Sequence, residues 1–310
     1  MTLVLLATGG TIASRRQPDG GVAVALTGAQ LLETVPPVYA SDVEVLDVTH
    51  GPSWNFDIEM MASIARSARD AILERGAEGV VVTHGTDSVE ETAWLTDLMA
   101  GDATVKGPIV FTASMRNAGD PDADGPNNLR DALALARSKE ALGRGALLCV
   151  NGAIHEARWV TKTDAQSIDT FKSFGARPFP RPPNNGRVDP AVAVIRSYGG
   201  MDGEIIDWHH GRGAHGMVIE GTGAGNVAGS LVPGIERALA ASVPVVVTTR
   251  CLTGEVAPVY GGPGGGHSLA ELGVIRGAEL SAAKARVALA VALAVDPSPD
   301  AVRAWFEELG

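Results

Sequence analysis

Two short segments of this 310-residue chain gather hydroxyls and glycines directly after apolar runs. The first, Thr8-Gly9-Gly10-Thr11, follows the run 3–7. Its two glycines let the backbone turn sharply and approach a ligand closely, leaving Thr11 projecting from a tight loop. The second, His84-Gly85-Thr86-Asp87-Ser88, follows the run 79–83 and continues into Val89-Glu90-Glu91-Thr92. Ser88 and Glu91 have the S-x-x-E spacing of a capping box, so a helix is predicted to open here. Thr86 and Asp87 then sit just before a helix N-terminus, where backbone N–H groups suit an oxyanion or a carboxylate. A threonine hydroxyl needs a base before it becomes a nucleophile. No Ser-His-Asp order is evident around these loops, and His84, at a strand end before Gly85, reads as structural. A lysine can serve as base where burial or a nearby cation lowers its pKa. Trp159-Val160-Thr161-Lys162-Thr163-Asp164 offers one.

These residues need elements to hold them. Runs at 3–7, 43–48, 79–83, 109–113 and 146–150 are apolar without alternation, which predicts strands buried on both faces, as in a parallel sheet. Amphipathic stretches at 58–75, 89–99 and 128–142 lie between them and read as helices. Strand alternating with helix predicts an α/β fold, in which ligands bind beyond the carboxyl ends of the strands. Thr11 and Thr86 both follow such ends. From 177 the texture changes to RPFPRPPNNGRVDP, whose Pro, Asn and Gly content reads as a linker. Beyond it, strands are predicted at 192–196, 216–220 and 244–249, and helices at 229–241, 281–294 and 299–308. The expected organisation is a larger N-terminal parallel-sheet α/β domain (1–180) with most of the catalytic residues, a linker (181–191), and a smaller C-terminal α/β domain (192–310).

The formal net charge of −11 makes the chain a poor partner for nucleic acid or an anionic membrane, since both repel it. Cys149 and Cys251 each end an apolar run; they read as two buried thiols, with neither metal-ligand spacing nor a disulfide framework. The N-terminus lacks a basic n-region, and no apolar run is long enough to span a bilayer. A cytoplasmic protein is the default expectation. Gly223-Ala224-Gly225-Asn226-Val227-Ala228 fits the dinucleotide pattern G-x-G-x-x-A, a weak signal alone; no acidic residue ends the next strand, but Arg250 could accept a 2′-phosphate, so an NADP-binding oxidoreductase stays a rival reading.

Taken together, TGGTIAS at 8–14 and THGTDSVEET at 83–92 resemble the two signature segments of the bacterial-type L-asparaginase family. ADGPNNL at 123–129, VTKTDAQSIDTFKS at 160–173, GTGAGNVAG at 221–229 and LTGEV at 252–256 are similar to further family stretches, in the family's order over nearly the whole chain. The resemblance implies hydrolysis of L-asparagine to L-aspartate and ammonia through a covalent acyl-enzyme. Thr11 matches the nucleophilic threonine; Thr86, with Lys162 and Asp87, matches the second triad, and which threonine attacks stays open. Asp87 would pair with the substrate's α-ammonium group and Ser53 would bind its α-carboxylate. Asn226 matches a residue that reaches the neighbouring subunit's site in a homotetramer built as a dimer of intimate dimers. No metal or organic cofactor is implied. Glutamine or another small amide is the alternative substrate, and an amino-acid-binding sensor the alternative role.

The chain departs from the family pattern in several places. The lid after the first motif, 15–24, has no tyrosine, and GGPGGGH at 261–267 lacks the partner-chain glutamate. The first triad is therefore incomplete. Trp54 replaces a smaller or polar residue beside Ser53, and Ser114 stands where alanine is common; both read as specificity residues.

Overall fold

The computed structural model describes residues 2–176 and 178–310. The chain divides into two compact units, the first ending at Ala176 and the second running to Gly310. In the first unit, β1 (Leu3–Gly9) leads into a hairpin of β2 (Ser14–Arg16) and β3 (Val22–Val24). Short helices α1 (Gly28–Leu32) and α2 (Pro37–Ala40) precede β4 (Val43–Gly51) and α3 (Ile58–Leu73). Next come β5 (Gly79–Thr83), α4 (Val89–Ala100), α5 (Ala103–Lys106), β6 (Ile109–Thr112), α6 (Gly125–Ala136) and β7 (Ala146–Val150). The short strands β8 (Ala153–Glu156), β9 (Val160–Lys162) and β10 (Phe171–Ser173) complete it.

The main sheet has the order β4-β1-β5-β6-β7-β8, parallel except for β8 against β7. Its strands alternate between two cores. Val4 and Leu6 of β1 join Val80 and Val82 of β5 on one face, with Ile64, Ala68 and Ile72 of α3. Leu3, Leu5 and Val81 face the other way, onto Leu129, Ala132 and Leu133 of α6. Because both faces of β1, β5, β6 and β7 are covered, the period of two does not show as hydrophobic alternation in those strands; β4, at the edge of the sheet, carries exposed Glu44 and Asp47, contrary to the expectation of a strand buried on both faces. Asp57 starts α3 by accepting a hydrogen bond from Met60 N at 2.8 Å. The helix expected at 128–142 begins earlier, at Gly125, because Pro126 suits a first turn that needs no donor there. It stops at Ala136, and only a 3₁₀ turn at Lys139–Ala141 follows.

Three antiparallel pairs were not expected: β2 with β3, β7 with β8, and β9 with β10. β7 and β8 turn on Asn151-Gly152, both at positive φ (49° and 71°), the conformation that Asn-Gly favours in two-residue hairpin loops.

The second unit contains β11 (Val192–Arg196), α7 (Glu204–Gly211), β12 (Gly216–Gly221), α8 (Val232–Ala240), β13 (Val245–Thr249), α9 (Gly266–Leu272), β14 (Ile275–Arg276), α10 (Ala282–Val295) and α11 (Pro299–Leu309). Its strands form a parallel sheet in the order β11-β12-β13-β14. The Pro-rich stretch is tied to this unit: Trp305 Nε1 donates to Pro183 O (3.0 Å) and Asp189 N to Ala290 O (2.8 Å). Gly223-Ala224-Gly225 does not open a helix. It makes a tight turn closed by Thr222 N donating to Asn226 O at 2.7 Å, and Gly229–Leu231 form a 3₁₀ turn before α8. A Cβ on Gly225 would meet Val256 Cγ1 at 2.5 Å, so this glycine serves packing rather than a pyrophosphate. Cys149 is buried as expected, and burial chiefly, with Asp131 nearby, pushes its thiol up to about 12. Cys251 is exposed, contrary to expectation, because the chain leaves β13 into an irregular segment before reaching it. Among the described residues no helix is long and apolar enough to cross a membrane.

Candidate active site

The strand order β4-β1-β5 brings three loops together at the carboxyl end of the sheet, and glycines let them approach closely. A Cβ on Gly9 would lie 2.7 Å from Gly51 O, one on Gly10 2.5 Å from Gly85 N, and one on Gly85 2.8 Å from Ser53 Cβ. Hydroxyls then lock the loops. Thr8 Oγ1 donates to Thr83 O (2.7 Å), Ser14 Oγ to Gly10 O (2.8 Å) and Ser88 Oγ to Ser53 O (2.7 Å). That last bond corrects the expected capping box: Ser88 is the N-cap of α4 but makes no side-chain cap bond. Its hydroxyl is drawn to a carbonyl on the neighbouring loop instead.

His84 is fully buried and absent from the pocket wall, in keeping with a structural role. Its Nδ1 donates to Gly85 O at 2.9 Å, and its ring stands edge-on to Phe56 at 5.2 Å. Burial lowers its pKa to about 4, so the ring is neutral at pH 7.

These loops surround a pocket of about 540 Å³. Thr11 comes from the first loop, Ser53 and Trp54 from the second, Thr86 and Asp87 from the third. Val22, Ala23 and Val24 of the β2–β3 hairpin present alkyl groups to the same space. The hydroxyl of Ser53 is buried and has no hydrogen-bond partner among the described residues. Trp54 is 70% exposed, so its indole stands at the rim instead of filling the pocket.

Lys162 arrives on β9, whose pairing with β10 and the bond from Lys162 N to Glu90 Oε2 (3.1 Å) hold it against α4. Its Nζ donates to Thr86 Oγ1 at 2.9 Å and to Asp87 Oδ1 at 2.8 Å. The lysine side chain is 19% exposed and the aspartate 47%. An amine in contact with both a hydroxyl and a carboxylate at a pocket edge supplies the components of an activated nucleophile and an ammonium receptor. Thr11 is half-buried, and its hydroxyl makes no bond with a described residue.

Ser114 is buried and lies in the small cleft that also touches Thr86, outside the main pocket wall. Its hydroxyl donates to Asp124 Oδ1 (2.7 Å). The same carboxylate accepts from Met115 N (3.0 Å), Arg116 N (2.9 Å) and Asn128 Nδ2 (3.0 Å). Asp124 is thereby the anchor of the loop carrying Asn117 to the pocket wall. Asn226 belongs to the second unit, where its Oδ1 accepts from Gly266 N at 3.0 Å.

Two wall residues, His50 and Asn117, were not singled out in the sequence. His50 carried a signal, since it too stands at a strand end. Asn117 carried none, because Asp124 places its loop.

The model of the N-terminal asparaginase domain matches residues 2–189, and that of the glutaminase/asparaginase C-terminal domain matches 191–306. The chain is 33% identical to an L-asparaginase of Bacillus licheniformis, over 94% of this chain and 95% of that one. It is 32% identical to L-asparaginase 2 of Bacillus subtilis, over 98% of this chain and 85% of that one. The crystal structure named "Probable Cytoplasmic L-asparaginase" from Campylobacter jejuni superimposes with a TM-score of 0.83 at 28% identity, covering 99% of both chains. With both domain models matched in order and relatives of this identity along nearly its full length, the chain belongs to the bacterial-type L-asparaginase family.

Proposed function

We propose that this protein hydrolyses the side-chain amide of L-asparagine to L-aspartate and ammonia through a threonine acyl-enzyme. The observation that carries this reading is the contact of Lys162 Nζ with both Thr86 Oγ1 (2.9 Å) and Asp87 Oδ1 (2.8 Å) at the edge of a pocket that also holds Thr11.

Asp87 takes the substrate's α-ammonium group, and Ser53 offers its free hydroxyl to the α-carboxylate. Lys162, acting as the neutral amine, accepts the proton of the Thr86 hydroxyl that its Nζ contacts at 2.9 Å. The threonine oxygen bonds to the amide carbon, the C–N bond breaks, and the nitrogen leaves as ammonia carrying that proton. Water then cleaves the ester, returning the hydroxyl and freeing aspartate. Backbone N–H groups beside Thr86 stabilise the oxyanion, a contribution of about 3 kcal/mol per donor. Thr86 is the threonine with a base in contact. Thr11 is the second hydroxyl available to the reacting carbonyl.

The alkyl lid formed by Val22, Ala23 and Val24 motivates a second reading, an amino-acid sensor that binds without turnover. By family resemblance we further propose a cytoplasmic homotetramer, a dimer of intimate dimers in which Asn226 approaches the neighbouring subunit's site, and residues 181–191 as the interdomain connection. The test is ammonia release from L-asparagine and L-glutamine by the wild type, Thr11→Ala and Thr86→Val. Release by the wild type, lost in both variants, supports the hydrolase. L-aspartate binding without release from either amide overturns it in favour of the sensor.

A further inference from the structure

We infer that His50 recognises the substrate's α-carboxylate and so restricts the pocket to amides carried on a free α-amino acid. This rests on the amidohydrolase reading. An amino-acid zwitterion asks a site for one negative group and one positive group or strong donor. Among the residues lining the pocket, only His50 and Asp87 bear ordinarily titratable side chains, with neither lysine nor arginine among them. Asp87 answers the ammonium, and His50 contributes to the same wall an imidazole whose N–H can donate to the carboxylate.

Its placement fits that task. His50 is the penultimate residue of β4, where Gly51 pairs with Gly9. The His50 carbonyl carbon lies 3.3 Å from the position a Cβ on Gly9 would take, so the residue stands directly beside the Thr11 loop. Three residues on, the buried and unpartnered hydroxyl of Ser53 belongs to the same wall. The intervening chain is held by Pro52 and by the 3₁₀ turn Ser53–Asn55, closed by Phe56 N donating to Ser53 O at 3.1 Å. His50 itself is exposed and makes no hydrogen bond or ion pair with a described residue, so its imidazole is uncommitted. Its neighbour Trp54 adds an exposed indole face with no charge. One strand-end segment thus contributes both an imidazole and a hydroxyl to the pocket wall, two donors available to one carboxylate.

The test compares kcat/KM for L-asparagine and for its α-methyl ester, followed by ammonia release, in wild type, His50→Gln and His50→Arg. Wild type is expected to favour the free acid. His50→Gln should lower kcat/KM for asparagine about three- to tenfold, through KM, because the group is partly screened by solvent. It should leave the ester unchanged, and His50→Arg should restore the discrimination. A loss shared equally by both substrates, or no loss, overturns the assignment, since a merely structural role would not distinguish them. If wild type releases ammonia from neither substrate, the hydrolase reading itself fails. Calorimetric binding of L-aspartate then decides His50 separately: weaker binding by His50→Gln sustains the role, and equal binding ends it.

Discussion

Replacing Gly10 with alanine should abolish most of the activity while leaving a folded protein. Gly10 sits at φ 81°, ψ −178°, a region essentially reserved for glycine, where a side chain costs about 1–3 kcal/mol. The steric term acts on the site itself. The new Cβ would stand 2.5 Å from Gly85 N and 2.6 Å from Gly85 Cα, whereas ordinary contact begins at 3.4 Å. The two loops must therefore separate by about 0.9 Å (3.4 − 2.5), and neither partner is a flexible side chain that could swing aside. Gly85 immediately precedes Thr86, so the shift passes to the hydroxyl that Lys162 contacts at 2.9 Å. A misplacement on the order of 1 Å in a reacting group costs about a hundredfold in rate. Gly213→Ala separates strain from displacement: Gly213 also has positive φ (83°), but nothing lies within 4 Å of its would-be Cβ. It should cost about 1–2 kcal/mol in urea unfolding, with kcat/KM for ammonia release unchanged. Gly10→Ala should show a comparable or larger stability loss together with about a hundredfold fall in kcat/KM. If Gly10→Ala keeps wild-type turnover within a few-fold, the backbone contact between the two loops does not set the position of Thr86 and the reasoning fails.

Other predictions follow from the same geometry. Burial lowers the pKa of His84 from 6.5 to about 4, so between those values the unfolded chain binds the extra proton. Its contribution is present in full above pH 6.5 and is lost as pH falls toward 4, about 3 kcal/mol in all. Urea unfolding at a series of pH values should show this slope in wild type and a flatter one in His84→Asn, which keeps a donor but does not titrate. Lys162→Met should lower kcat by about 10²–10⁴. Lys162→Arg should not rescue it, because a guanidinium keeps the charge but cannot take a proton; full activity in either variant would remove Lys162 as the base. Asp124→Ala strips the acceptor from Ser114 Oγ, Met115 N, Arg116 N and Asn128 Nδ2, and should cost about 2–4 kcal/mol in denaturant unfolding.

The sequence by itself determined the elements whose causes are local. Uninterrupted apolar runs marked β1, β5, β6 and β7 because strands buried on both faces need apolar side chains at every position. Pairs such as Thr8-Gly9-Gly10-Thr11 and Gly85-Thr86 marked strand-end loops, because glycine there signals backbone that must turn or be approached closely. Short hairpins such as β2–β3 escaped, since three residues are too few to show a period. What the tertiary structure alone decided is which groups meet. Ser88 is spaced to cap α4 with Glu91, yet its hydroxyl goes to Ser53 O, 35 residues away. Lys162 reaches Thr86 across 76 residues, and Asp124 rather than any local pattern brings Asn117 to the wall. Such encounters depend on strand order. With β1 between β4 and β5, three loops distant in sequence are pressed edge to edge, and each polar group takes the nearest partner that space offers rather than the nearest along the chain.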